Sequence, residues 1–269
     1  MKARRLGRIL AADGRSLVLA MDHGAIAGPL PGIESPERAL EQASRAGVDA
    51  VLMTRGALEA GWASLDARVG VILRLTGGFT LLTDPQNFEE RLLGSAEDAL
   101  FLAADAAAVT VKFGHAREGD FMAQAGRTAA ACARWNLPLM IEVMPRGERA
   151  KAMGDAEALA LACRAAAELG ADLVKAPFPG STQAMERVSK GCPVPILILG
   201  GEKDPDPGGV FGLVDQALAG GAAGVCMGRN LFGHANPVGM IALLRELIHG
   251  GGDAAELAEA ARRMSAATA

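Results

Sequence analysis

Lys175 closes the short apolar run Leu173-Val174 and is followed by Ala176-Pro177. A lysine at the carboxyl end of a parallel strand, where α/β folds build their sites, can form a Schiff base with a carbonyl compound. The competing reading is a snorkelling lysine whose amine reaches water. For attack the amine must be neutral, and burial beside another cation is expected to lower its pKa. Lys112, at the end of the run Ala107–Phe113, is the candidate neighbour. A shift of one residue in strand register would instead turn it outward.

Two carboxylates stand at comparable positions. Glu142 lies within Met140-Ile141-Glu142-Val143-Met144, where it can move protons or simply pair with Lys112 or Arg146. Asp22 ends the run Leu17–Met21, where it can hold a substrate hydroxyl or form an Asx turn before Gly24. The adjacent His23 is expected to support that loop. Near the carboxyl terminus, Gly200-Gly201 and Gly228-Arg229-Asn230 follow two further apolar runs. Glycine amides, a guanidinium and a helix start in neighbouring strands form a phosphate-binding signature, although such glycines also make tight turns. Arg55, Arg74, His115, Arg146 and Lys203 are candidates for a second anionic group.

These side chains converge only if the runs carrying them are neighbouring strands. Eight runs read as buried strands, near Leu17–Met21, Ala50–Met53, Val71–Leu75, Ala107–Phe113, Leu139–Val143, Leu173–Lys175, Ile196–Leu199 and Gly224–Met227. Their nearly continuous apolar character is that of parallel strands covered on both faces. Between them lie helical patterns: Ser35-Pro36 to Arg45, Ala123–Trp135, Ala156–Leu169 and Val210–Ala219. Val238–His249 would be the eighth helix and Ala254–Ser265 an additional C-terminal one. The alternation predicts a (β/α)8 TIM barrel, an α/β single domain over residues 1–269, with a doubly wound sheet as the alternative.

Composition narrows the function classes. A chain of 269 residues that is 50% hydrophobic can bury one large core. Its 34 glycines follow no collagen period, and a net charge of −4 with mixed signs gives no argument for nucleic acid or membrane as partner. The basic start, Lys2 to Arg8, leads into no apolar signal region, so a cytoplasmic protein is expected. Cys132, Cys163, Cys192 and Cys226 are far apart and lack a C-x-x-C pair, which predicts reduced, mostly buried thiols. The four histidines show no metal-ligand spacing, so neither metal nor organic cofactor is expected.

Met21-Asp22-His23-Gly24, Val174-Lys175, Leu199-Gly200-Gly201 and Met227-Gly228-Arg229-Asn230, in this order, resemble the archaeal-type class I fructose-bisphosphate aldolases. The wider group includes the deoxyribose-phosphate and tagatose-bisphosphate aldolases. The resemblance runs from Arg5 to Phe232. It implies Lys175 as Schiff-base lysine, Asp22 at the substrate hydroxyls, and phosphate at Gly200, Gly201, Gly228 and Arg229. It also implies a phosphorylated sugar substrate and a homo-oligomer.

One departure changes the chemistry. The fructose-bisphosphate members carry an acid/base tyrosine just before Pro-Arg-Gly; here Met144 precedes Pro145-Arg146-Gly147 and the chain contains no tyrosine. Glu142, two residues earlier and on the same strand face, resembles the glutamate of tagatose-bisphosphate and sulfosugar-phosphate aldolases. The expected activity is thus aldol cleavage or formation of a phosphorylated ketose, giving dihydroxyacetone phosphate and an aldehyde. Glu142 would be the acid/base and Lys112 its partner. A Schiff-base transaldolase or acyltransferase, or a non-covalent phosphate-binding isomerase, are the alternatives.

Overall fold

The computed structural model describes residues 1–267. Ten strands form in chain order: β1 (Ser16–Ala20), β2 (Ala50–Met53), β3 (Gly70–Arg74), β4 (Thr76–Gly77), β5 (Arg91–Leu92), β6 (Ala106–Val111), β7 (Leu139–Val143), β8 (Leu173–Ala176), β9 (Ile196–Ile198) and β10 (Gly224–Met227). Eight of them close a parallel barrel in the order β1-β10-β9-β8-β7-β6-β3-β2. The protein is therefore the expected (β/α)8 barrel, and the doubly wound alternative falls because β1 pairs with both β10 and β2. The first long helix, Pro36–Ala46, starts as its sequence dictates: Ser35 accepts from the Arg38 amide and Pro36 takes the first turn.

The apolar runs are divided by the pleat. Val18, Ala20, Ala50, Leu52, Ile72, Ala106, Ala108, Met140, Leu173, Leu197 and Cys226 point into the barrel, while their neighbours pack beneath the helices. Extending the same alternation by one step places Asp22, Arg74, Thr110, Glu142 and Lys175 in the uppermost interior layer. The small side chains Ala20, Ala106 and Ala108 leave room there for two long cations. Lys112, two residues beyond Thr110, also turns inward.

The opposite end of the barrel is closed by the basic amino terminus. Ile9 is fully buried in the barrel interior, with Leu6 and Leu10 packed beside it. Lys2 pairs with Asp172 at 3.0 Å and Arg8 with Asp105 at 2.8 Å. Asp49, Asp105 and Asp172 each precede a strand and accept from an amide of the adjacent one: Leu17, Val71 and Leu139 respectively. The carboxylates thus fix strand register, and the amino-terminal cations neutralise two of them.

Between β3 and β6 the sequence patterns foresaw no sheet. Here β4 and β5 pair antiparallel as Thr76 with Leu92 and Gly77 with Arg91, forming a hairpin at the carboxyl end of the barrel. Phe79 stacks on Phe88 with ring centroids 4.5 Å apart. The final helix runs Ala254–Ala266, and the eighth-helix region passes from an α-helix at Pro237–Arg245 into a π-turn at Glu246–Gly250. All four cysteines are buried and free. Among the described residues, no helix is long and apolar enough to cross a membrane.

Candidate active site

A cavity of about 670 Å³ opens at the carboxyl ends of the strands, with Asp22, Arg74, Thr110, Glu142 and Lys175 on its wall. Glu142 and Lys175 are register partners on β7 and β8, and Thr110 is the partner of Glu142 on β6. Lys175 Nζ lies 2.9 Å from Glu142 Oε1. The other carboxylate oxygen, Oε2, accepts from Arg74 Nη2 at 2.6 Å and from the Thr110 hydroxyl at 3.1 Å. Arg74 also donates through Nε to Asp22 Oδ2 at 2.8 Å and through Nη1 to Thr110 at 2.8 Å. All these side chains are largely withdrawn from water, Lys175 being 5% exposed as a residue and the Glu142 side chain 13%.

Two cations facing two carboxylates set the protonation states. Burial alone would raise the pKa of Glu142, but Lys175 and Arg74 hold it well below the usual carboxylate range. Asp22 is lowered too, as Arg74 and Lys175 outweigh its burial. Lys175 moves opposite to the sequence expectation. Burial pulls its pKa down, yet Glu142 and Asp22 pull it up further, so it rests as an ammonium. Attack by an ammonium requires a proton acceptor, and the oxygen in contact with this one is Glu142 Oε1. Oε2 is engaged by Arg74 and Thr110, which leaves Oε1 to face Lys175.

The expected partner of Glu142 was Lys112 or Arg146, and the structure supplies Arg74 instead. Lys112 points into the barrel mouth but serves the hairpin. Its ammonium donates to the Phe88 carbonyl at 2.7 Å, lies 3.2 Å from Glu90 Oε1, and sits 4.2 Å above the Phe79 ring. Sequence reasoning had Arg74 only among the distal-anion candidates and missed Thr110 and Glu90. Thr110 shares inward parity with Lys112, a signal that could have found it. Glu90 reaches the cavity only because β4 and β5 pair, which no local pattern announces.

The remaining candidates separate. Arg146 lines the cavity, and among the described residues its guanidinium has no carboxylate partner, donating only to the Pro145 carbonyl at 3.0 Å. Arg55 also lines it but is already engaged by Asp98 and, at 3.5 Å, by Glu59. His115 is turned to its own loop, its Nδ1 accepting from the Arg117 amide at 3.0 Å. Lys203 donates to the Gly233 carbonyl at 2.6 Å and is not on the cavity wall.

Gly200, Gly201, Gly228 and Arg229 stand beside this cavity at the ends of β9 and β10, outside its wall. A Cβ on Gly228 would come within 2.5 Å of both the Ala20 carbonyl and the His23 ring, so only glycine fits there. Asn230 ties the two loops together: it donates to the Gly200 and Glu202 carbonyls at 2.8 and 3.0 Å and accepts from the Asp204 amide at 2.7 Å. Arg229 Nε is buried without a hydrogen-bond partner, as is Nδ1 of His23. His23, expected to support its loop, packs edge-on against Phe232, and burial lowers its pKa.

Comparison with known proteins places this arrangement in a family. A family model described as DeoC/LacD family aldolase matches residues 16–234. Over 252 residues the chain is 34% identical to the 2-amino-4,5-dihydroxy-6-oxo-7-(phosphonooxy)heptanoate synthase of Streptomyces griseus, covering 93% of this chain and 91% of that one. It is 33% identical over 249 residues to the 2-amino-3,7-dideoxy-D-threo-hept-6-ulosonate synthase 1 of Archaeoglobus fulgidus, with the same coverage. Among solved structures, a Schiff-base-forming fructose-1,6-bisphosphate aldolase superposes with a TM-score of 0.84 at 31% identity, covering 93% of this chain and all of that one. An archaeal fructose 1,6-bisphosphate aldolase gives 0.83 at 31% identity over the same shares. The chain belongs to the DeoC/LacD aldolase family, and it is an aldolase of the Schiff-base class.

Proposed function

We propose that this aldolase makes or breaks the carbon–carbon bond between dihydroxyacetone phosphate, held as an enamine on Lys175, and an aldehyde that carries its own anionic group. The observation that carries the reading is the contact between Lys175 Nζ and Glu142 Oε1 at 2.9 Å, in a chain without tyrosine. When the ketone enters and displaces water, Lys175 gives a proton to Glu142 and attacks the carbonyl carbon. Glu142 returns that proton to the oxygen, takes a second proton from the nitrogen of the carbinolamine and gives it to the departing hydroxyl, leaving an iminium and water. In the cleavage direction a carboxylate, Glu142 or Asp22, takes the proton of the hydroxyl beyond the scissile bond. The aldehyde leaves, the electron pair passes into the enamine, and reprotonation and hydrolysis release the ketone half.

The name of the Streptomyces griseus relative supports the phosphorylated-ketone half. In a chain bearing a 6-oxo, 4,5-dihydroxy and 7-phosphonooxy pattern, an aldol bond between carbons four and five divides the molecule into dihydroxyacetone phosphate and a four-carbon aldehyde. In this reading the phosphate sits at Gly200, Gly201, Gly228 and Arg229, supported by the unpartnered Arg229 Nε. The anionic group of the aldehyde meets Arg146, the guanidinium on the cavity wall without a carboxylate partner.

The test is a panel of phosphorylated ketoses assayed for dihydroxyacetone phosphate, run without any acceptor and then in reverse with aldehydes. Release without acceptor is expected. Turnover that occurs only when an acceptor aldehyde is present would replace this reading with a transferase.

A further inference from the structure

Glu90 is a buried carboxylate that the mechanism above does not use. It is 8% exposed and lies on the cavity wall. One oxygen, Oε1, is 3.2 Å from Lys112 Nζ; the second has no protein donor among the described residues. Its burial raises its pKa, against the pull of Lys112 and Arg74. A withdrawn carboxylate on the wall of a reaction cavity, with an uncommitted oxygen, can receive a donor from a ligand.

The charges around it indicate which donor. Beside the paired Arg55 and Asp98, and Arg146, the wall carries Asp22, Glu90 and Glu142 against Arg74, Lys112 and Lys175. Converting Lys175 to an iminium keeps its positive charge, so the balance survives Schiff-base formation. Two groups then remain with capacity: the free oxygen of Glu90 and the guanidinium of Arg146, which has no carboxylate partner among the described residues. Together they suit an aldehyde bearing one cationic and one anionic group, and both named relatives make products with a 2-amino substituent.

We propose that Glu90 is a specificity-determining residue for the aldehyde half, its free oxygen accepting from an α-ammonium group. The enzyme would thereby select an amino-acid aldehyde over the same aldehyde without the amine. The hairpin formed by β4 and β5 delivers this group to the cavity, with Lys112 Nζ 3.2 Å from its other oxygen. The inference rests on the reading that Lys175 holds the ketone half, and it names the class of the other half.

The experiment uses dihydroxyacetone phosphate with two four-carbon aldehydes that end in a carboxylate, one with an α-amine and one without. The wild type is expected to have the higher kcat/KM for the amino aldehyde. Glu90→Gln is expected to lower the ratio of the two kcat/KM values by roughly 10- to 100-fold, the range for a hydrogen bond to a charged group. Glu90→Asp, which keeps the charge, should retain a preference. Borohydride trapping of dihydroxyacetone phosphate alone needs no aldehyde and reports whether each variant keeps the folded site. A wild type with no preference, an unchanged ratio in a Glu90→Gln protein that still traps, or a trapping-competent Glu90→Asp without preference would each overturn the proposal. Failure of the wild type to trap would strike the Lys175 reading instead.

Discussion

The Arg74 guanidinium binds the Glu142 oxygen turned away from Lys175, at 2.6 Å, and the same side chain holds Asp22 at 2.8 Å. One buried cation therefore orients both carboxylates. It also favours the ionised form of Glu142, so a proton placed there is readily given up. Arg74→Met would leave two buried carboxylates facing Lys175 alone, which is expected to cost about 3–5 kcal/mol of stability. The Glu142 pKa would rise, shifting the acid limb of the rate profile to higher pH. Arg74→Lys should restore part of the stability without the paired geometry. A rate profile unmoved in Arg74→Met would show that Arg74 does not set Glu142.

Glu142→Gln keeps the shape of the site and removes the proton carrier. Turnover is expected to fall about 10²- to 10⁴-fold. Covalent trapping on Lys175 should survive at a reduced rate, because the glutamine variant no longer holds the lysine as an ammonium. Normal turnover in this variant would remove Glu142 from the mechanism.

Lys112 was expected beside Lys175 and is found under the hairpin, bound to Glu90 and to the Phe88 carbonyl. Lys112→Met should therefore act on substrate capture, raising KM by about tenfold while borohydride trapping persists. Protease cleavage within residues 79–90 should accelerate as the hairpin opens. A fall in kcat with unchanged KM would instead return Lys112 to proton transfer.

The pH dependence of stability follows from the directions of the shifts. Glu142 and Asp22 lie below their ordinary values of 4.5 and 3.8, so their stabilising contribution is complete above about pH 4.5 and is lost as pH falls toward the lowered folded values. Lys175 lies above its ordinary 10.5, so its contribution is complete below that pH and is lost as pH rises through the folded value. Between these limits the cluster should leave stability flat. In urea titrations, replacing Glu142 with Gln should reduce the acid-side loss below pH 4.5.

Much of this was legible in the sequence because the barrel repeats one simple rule. All eight barrel strands coincide with apolar runs to within two residues at either end, since parallel strands buried on both faces are continuous in hydrophobicity. Lys175 and Asp22 were found because a charge ending such a run is conspicuous, and Glu142 because a charge inside one is. Arg74 ended its run too, but pairing is a property of the closed ring and not of any one strand. The hairpin was invisible, as two strands of two residues each show no period. The amino-terminal plug was hidden because Ile9 is apolar in a basic stretch, and its burial depends on Asp105 and Asp172 drawing Arg8 and Lys2 to the barrel floor.

That floor offers a control. Asp105 accepts from the Val71 amide at 3.0 Å and pairs with Arg8, at the end remote from the cavity. Asp105→Ala should destabilise the protein by about 2 kcal/mol and lower Tm by several degrees, with kcat of the folded protein unchanged.

The central claim is that Lys175 is the amine that becomes covalent. Incubating the protein with dihydroxyacetone phosphate and borohydride, then mapping the adduct by peptide mass, tests it most directly. The account predicts one reduced adduct on Lys175 with loss of activity. Activity that persists with Lys175 unmodified, or an adduct on Lys112 in its place, would contradict it.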